Sequence, residues 1–182
     1  RQLAKCLLCY QTGDAELAAC GTCSSCKQVN AETHPDLLEV GLPEEKNVVP
    51  IRLIAGEDDE RGRAGLCYDL SLSPMECTRR VAILDSADHL EEAGASALLK
   101  TLEEPPSHAI LILVATSLSE ILPTIQSRCQ HVRFSVLDDA DVAALLLEQE
   151  KTTDPKEADR VAGLANGSLV QAALMQDPAM SS

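Results

Sequence analysis

Arg80-Val81-Ala82-Ile83-Leu84-Asp85 is the stretch that decides the fold. Four aliphatic residues run without a polar break and end on a carboxylate, the pattern of a strand buried on both faces of a parallel sheet. A carboxylate at the C-terminal end of such a strand sits where open α/β sheets bind ligands. Downstream, Ala95, Leu98, Leu99 and Leu102 share one helical face, so Glu91 to Glu103 reads as an amphipathic helix stopped by Pro105-Pro106. His108 to Thr116 is a second buried strand, a helical turn starts near Pro123, and His131-Val132-Arg133-Phe134 reads as a last strand.

Upstream, Leu3, Leu7 and Leu8 place Arg1 to Tyr10 in a helix with no N-cap before it, so the chain begins inside that helix. A second helix runs from about Ser24 to Ala31. His34-Pro35 breaks it, and Leu37 to Val40 reads as a strand. Glu44 to Arg63 is charge-rich and poorly periodic, with room for a helix from Ile51. After Val136 only helical patterns remain, at Asp138 to Glu150, Pro155 to Leu164 and a short helix capped by Ser168. Strands alternating with helices predict a three-layer α/β core with a parallel sheet over residues 1–136, followed by a small all-helical domain over 137–182.

The 182 residues carry 15 Lys+Arg against 29 Asp+Glu, a net charge of −14, with one Phe, two Tyr and no Trp. So acidic a chain does not grip DNA alone, because that affinity comes from cations neutralising phosphates. Base stacking on aromatic platforms is likewise unsupported. The longest aliphatic run, Ala109 to Ala115, is too short to cross a bilayer, and nothing at Arg1 resembles a signal peptide, so a cytoplasmic protein without a membrane partner is expected.

Five of the eight cysteines fall within the first 26 residues. Cys20-Gly-Thr-Cys23-Ser-Ser-Cys26 lets a tight turn aim three sulfurs at one ion, and zinc asks for a fourth thiolate. Cys9 or Cys6 can supply it from the preceding helix, and Cys9 is the choice, giving a zinc module over about 6–27. The plainer alternative is a set of reduced, half-buried thiols without metal. Cys67, Cys77 and Cys129 are isolated.

Ala97-Leu-Leu-Lys-Thr-Leu-Glu-Glu-Pro-Pro106 and Leu122-Pro-Thr-Ile-Gln-Ser-Arg-Cys129 closely resemble segments of the clamp-loader subunits of bacterial DNA polymerase III. The cysteine module, the Thr33-His34-Pro35-Asp36 after it and the strand ending at Asp85 follow in the same order. The resemblance implies an AAA+ core with a helical lid, working in a five-subunit ring with gamma/tau and delta subunits. That ring opens the sliding clamp and places it on primed DNA.

Departures from the motor pattern decide which type of subunit is resembled. The first glycine is Gly13, so there is no G-x-x-x-x-G-K-[ST] loop, which in motor subunits would precede Arg1. A sheet lacking the strand before that loop would have a gap, to be filled by another chain or closed by rearrangement. Where a hydrolysing member carries Glu after the strand-end Asp, this chain has Ser86, and a seryl hydroxyl is no base near neutral pH. Gly167-Ser-Leu-Val170-Gln171 lacks the arginine that motor lids offer to nucleotide. The resemblance therefore implies the non-hydrolysing, delta-prime type, with ATP bound only in trans at a neighbour. Arg128 would be the arginine finger reaching that ATP, and Asp85 and Thr116 degenerate nucleotide-site positions. A truncated motor ATPase of the same ring and a zinc-containing scaffold are the alternatives.

Overall fold

The computed structural model describes residues 1–12, 17–149 and 151–176. It forms two compact units, Arg1–Gln130 and His131–Ser182. In the first, α1 (Gln2–Leu7) and α2 (Ser24–Asn30) precede β1 (Leu37–Val40). Then come α3 (Ile51–Ala55), α4 (Leu66–Ser71), β2 (Arg80–Leu84), α5 (Glu92–Glu103), β3 (Ala109–Leu113) and α6 (Pro123–Gln126). The strands form one parallel sheet in the order β1-β2-β3. Leu37 to Val40 lie opposite Val81 to Leu84, and Arg80 to Leu84 opposite Ala109 to Leu113.

Parallel neighbours require crossovers, which α3–α4 and α5 provide. Because strand side chains alternate, each face of the sheet has its own core. Ala82, Leu84, Leu38, Val40, Leu111 and Leu113 meet residues of α3 to α6, including Ile54, Leu70, Leu98 and Ile125. Val81, Ile83, Leu37, Ile110 and Ile112 meet Ala4, Leu8 and Val29 of the cysteine-bearing N-terminal segment. Helices thus cover both faces, and every residue of β2 is buried. α4 has no counterpart in the sequence reading, although Leu66 and Leu70 stand one turn apart and both are buried.

The last expected strand does not form. His131 to Phe134 has no regular structure, and Val132 and Phe134 are 68% and 91% exposed. An alternating apolar pattern makes a strand only against a partner, since cross-strand pairs carry the stability. The outer edge of β3 pairs with no described strand.

The second unit holds α7 (Asp139–Glu148), α8 (Pro155–Leu164) and α9 (Leu169–Met175) around Val142, Leu146, Val161 and four buried alanines, Ala158, Ala162, Ala165 and Ala172. Asp138, Asp154 and Ser168 cap the three N-termini through their side chains. Gly167 has φ +74°, and a Cβ there would stand 2.5 Å from the Leu137 carbonyl, so the turn before α9 admits only glycine. No helix among the described residues is long and apolar enough to cross a membrane.

The N-terminal segment is fastened to the sheet by buried polar groups. The fully buried Asp36 carboxylate accepts N–H bonds from Met75, Glu76 and Cys77 at 2.6, 2.8 and 2.8 Å, with the Arg80 guanidinium 3.6 Å away. Arg80 also donates to the Asp69 carbonyl at 2.7 Å. His34 Nδ1 accepts from the Asp36 N–H at 3.0 Å, which leaves its proton on Nε2, 3.0 Å from Ser25 Oγ. Ser25 in turn donates to the Leu8 carbonyl at the end of α1. Burial holds the His34 pKa below its usual value and keeps the ring neutral. Burial alone would raise the Asp36 pKa, but the three N–H donors and then Arg80 bring it below its ordinary 3.8.

Asp36→Asn is expected to cost about 3–5 kcal/mol in denaturant unfolding, the range for breaking a buried charge pair. The ionised Asp36 stabilises fully above about pH 4, and its contribution fades as pH falls through the lower folded value. The wild type should therefore lose stability in that acid range through a one-proton step that the Asn variant lacks.

Candidate functional site

Cys9 lies just past the end of α1, Cys23 is the N-cap of α2, and Cys26 is buried in the first turn of α2. Gly21, at φ +74°, turns the chain between Cys20 and Cys23. The four Sγ atoms of Cys9, Cys20, Cys23 and Cys26 all lie within 4.8 Å of one another. Cys9 Sγ is 4.0 Å from Cys23 Sγ, and Cys20 Sγ is 3.9 Å from Cys26 Sγ. These are not disulfide lengths. A tetrahedral zinc with bonds of about 2.3 Å sets its sulfurs about 3.8 Å apart, so the cluster has the dimensions of such a site. Cys9, rather than Cys6, completes it.

Backbone N–H groups converge on the same sulfurs. Cys20 N–H donates to Cys9 Sγ at 3.5 Å, Cys23 N–H to Cys20 Sγ and Cys26 N–H to Cys23 Sγ at 3.4 Å each. Such donors favour thiolates, the form that binds metal. The Cys20 N–H, with help from Thr12, lowers the Cys9 pKa to about 5. The N–H groups of Cys23 and Thr22 lower that of Cys20, whereas burial pushes Cys26 up to about 12.

Asp85 and Thr116 both follow strand ends, but their polar groups are bonded to different partners. Asp85 accepts the N–H of Ser86 at 2.8 Å, and Ser86 occupies the left-handed region at φ 58°, ψ 45°. Thr116 donates both its N–H and its hydroxyl to Asp88, which also accepts the Ser117 N–H at 3.3 Å. Burial would raise the Asp88 pKa, and the Thr116 hydroxyl and the N–H donors bring it below the usual carboxylate range. Sequence reasoning missed Asp88. Its position three residues beyond Asp85, facing the next strand's exit, was the available signal.

Arg128 follows α6, which Ile125 anchors at 2% exposure. Its Nη2 donates to Glu103 Oε1 at 2.7 Å, and its Nη1 to the Thr124 carbonyl at 3.0 Å and Ser127 Oγ at 3.4 Å. The pair is exposed, with side chains 36% and 52% accessible. In the second unit, Val170 and Gln171 are exposed near the start of α9.

A parallel sheet with helices on both faces and carboxylate and hydroxyl groups at adjacent strand exits defines a protein with an AAA+-type α/β core. Solved structures share that fold. RuvB from Thermotoga maritima superposes with a TM-score of 0.59 at 12% identity, covering 86% of this chain and 49% of RuvB. A DNA polymerase III gamma subunit-related protein of the same organism gives 0.51 at 24% identity, covering 85% and 49%. The chain belongs to the DNA polymerase III clamp-loader subunits, because the family model described as "DNA polymerase III, delta subunit" matches residues 1–138.

Relatives of two subunit types are similar to it. DNA polymerase III subunit delta' of Pseudomonas aeruginosa is 38% identical over 123 residues, 68% of this chain and 34% of that protein. Subunit delta' of Haemophilus influenzae is 32% identical over 155 residues, 85% of this chain and 43% of that protein. Subunit gamma/tau of Mycobacterium tuberculosis is 35% identical over 148 residues, 80% and 23% respectively. The chain thus spans less than half the length of each.

In chelator-treated protein, iodoacetamide at pH 6.5 is expected to alkylate Cys9 well before Cys26, read by mass spectrometry of the peptides. The sign follows from a thiol near 5 being ionised at that pH and one near 12 remaining protonated. Equal labelling of the two would contradict the N–H···S geometry.

Proposed function

We propose that this chain is the AAA+ module of a delta-prime type clamp-loader subunit, one that does not hydrolyse ATP itself. It would work in the cytoplasm beside gamma/tau and delta subunits, helping the ring to open the sliding clamp at primed DNA. The observation that carries this reading is Ser86. It stands directly after Asp85, where hydrolysis would call for a base, and its hydroxyl cannot accept a proton near neutral pH. Its backbone N–H is bonded to the Asp85 carboxylate, so the two residues form a closed local turn. The delta' relatives support the same reading.

Arg128 is the group with chemistry left to perform. Carried on an exposed turn after α6, its guanidinium would neutralise charge developing on the γ-phosphoryl group of a neighbour's ATP. Trans arginines of this kind are worth about 10³–10⁵ in rate in GTPases. The helical unit would serve as the lid, and the four thiolates would hold zinc. Zinc there neutralises the sulfur charge and joins the end of α1 to the start of α2.

The second reading, a gamma/tau-type motor subunit, is favoured by the Mycobacterium tuberculosis relative. ATPase assays on the full-length subunit, alone and in a reconstituted loader, separate the two. The delta-prime reading expects no turnover alone, and a fall of about tenfold or more in DNA- and clamp-stimulated loader turnover with Arg128→Ala. Turnover by the isolated subunit, with no effect of Arg128→Ala in the ring, selects the motor. Elemental analysis should find one zinc per chain. Chelation should lower the melting temperature, and a metal-free preparation of unchanged stability removes the zinc assignment.

A further inference from the structure

We infer that Glu103 is a positioning residue for Arg128, fixing its guanidinium for delivery to the neighbouring nucleotide, an inference that rests on the trans-arginine reading above. Glu103 is the last residue of α5, and the carboxylate takes the Arg128 Nη2–H at 2.7 Å. A carboxylate is poorly placed there for the helix, whose C-terminal end carries the negative pole of the backbone dipoles. An exposed ion pair of this kind also adds little to folding. The position therefore contributes little to α5 and much to the location of one guanidinium.

Three acceptors grip that guanidinium from one side. Nη1 donates to the Thr124 carbonyl and to Ser127 Oγ, while Nη2 donates to Glu103. Arginine has five N–H donors, so Nε–H and the second Nη2 hydrogen remain without a partner among the described residues. Nε–H and Nη2–H form the side fork with which arginine takes two oxygens at once. Thr124 and Ser127 both belong to the turn that carries Arg128. Glu103, 25 residues away, is the acceptor that ties the guanidinium to a separate, packed element. Without it the long side chain swings about the α6 turn, and an arginine that must be ordered during the reaction is less effective than one ordered beforehand.

The test is steady-state ATPase of a loader reconstituted with full-length subunits carrying Glu103→Ala, Glu103→Asp, Arg128→Ala or the Ala–Ala double substitution. Glu103→Ala is expected to lower kcat about three- to tenfold with KM for ATP changed less than about twofold. Glu103→Asp should recover part of the loss, and the melting temperature of the Ala variant should match wild type. In the Arg128→Ala background, Glu103→Ala should add nothing to the residual turnover. Wild-type or higher turnover in Glu103→Ala, while Arg128→Ala is impaired, overturns the positioning role and leaves the trans arginine standing. A loss that persists in the double variant shows that Glu103 acts elsewhere and also overturns it. Wild-type turnover in Arg128→Ala overturns the arginine reading itself and this inference with it.

Discussion

The architecture of the first unit depends on one buried carboxylate. Asp36 enters β1 and is fully buried, and a charge in that position is tolerable only if it is bonded on all sides. Its donors come from Met75, Glu76 and Cys77, which lead into β2, so the same group that ends the N-terminal segment also sets where the central strand begins. The Val81 N–H to Asp36 carbonyl bond then starts the β1–β2 ladder in register. On the other side, His34 and Ser25 carry the connection through α2 to the end of α1. The chain from Asp36 to Cys9 is therefore short, and the thiol cluster rests on a polar network that belongs to the sheet.

That arrangement also explains why a segment so rich in cysteine can cover a sheet face. α1 and α2 have only six and seven residues, lengths at which isolated helices do not persist in water. Ala4, Leu8 and Val29 bury against Val81 and Ile83, but three apolar anchors make a thin layer. Cross-links between the two helices, by Ser25 to the Leu8 carbonyl and by the four clustered sulfurs, supply the order that the small core does not. The opposite face needs no such device, because α3 to α6 contribute a larger set of aliphatic side chains.

What was legible in the sequence follows from the range of the interactions involved. The uninterrupted run Val81 to Leu84 announced a strand buried on both faces, and Cys20, Cys23 and Cys26 announced convergence, because spacing alone governs both. His131 to Phe134 carries a local pattern just as plain, yet a strand is a property of two chains side by side, and the pattern does not name the partner. The Thr116–Asp88 and Arg128–Glu103 pairs were hidden for the same reason. Each joins residues 28 or 25 positions apart through a polar contact that no periodicity encodes. α4 was missed because a helix of six residues gives the pattern only one turn in which to repeat.

The polar groups at the strand exits and at the α6 turn differ in what they have left to offer. Asp85 is engaged with the N–H of Ser86, and Thr116 gives both of its donors to Asp88. A nucleotide approaching those strand ends would have to break bonds already made, and each broken bond offsets one gained. Arg128 has spent three donors on being held and keeps two. An arginine fixed in this way binds an incoming phosphoryl group without losing what positions it, because the acceptors that hold it and the oxygens it would meet use different hydrogens. A subunit built so has moved its contribution from its own strand ends to its neighbour's site, and Ser86 is the residue at which the two roles part.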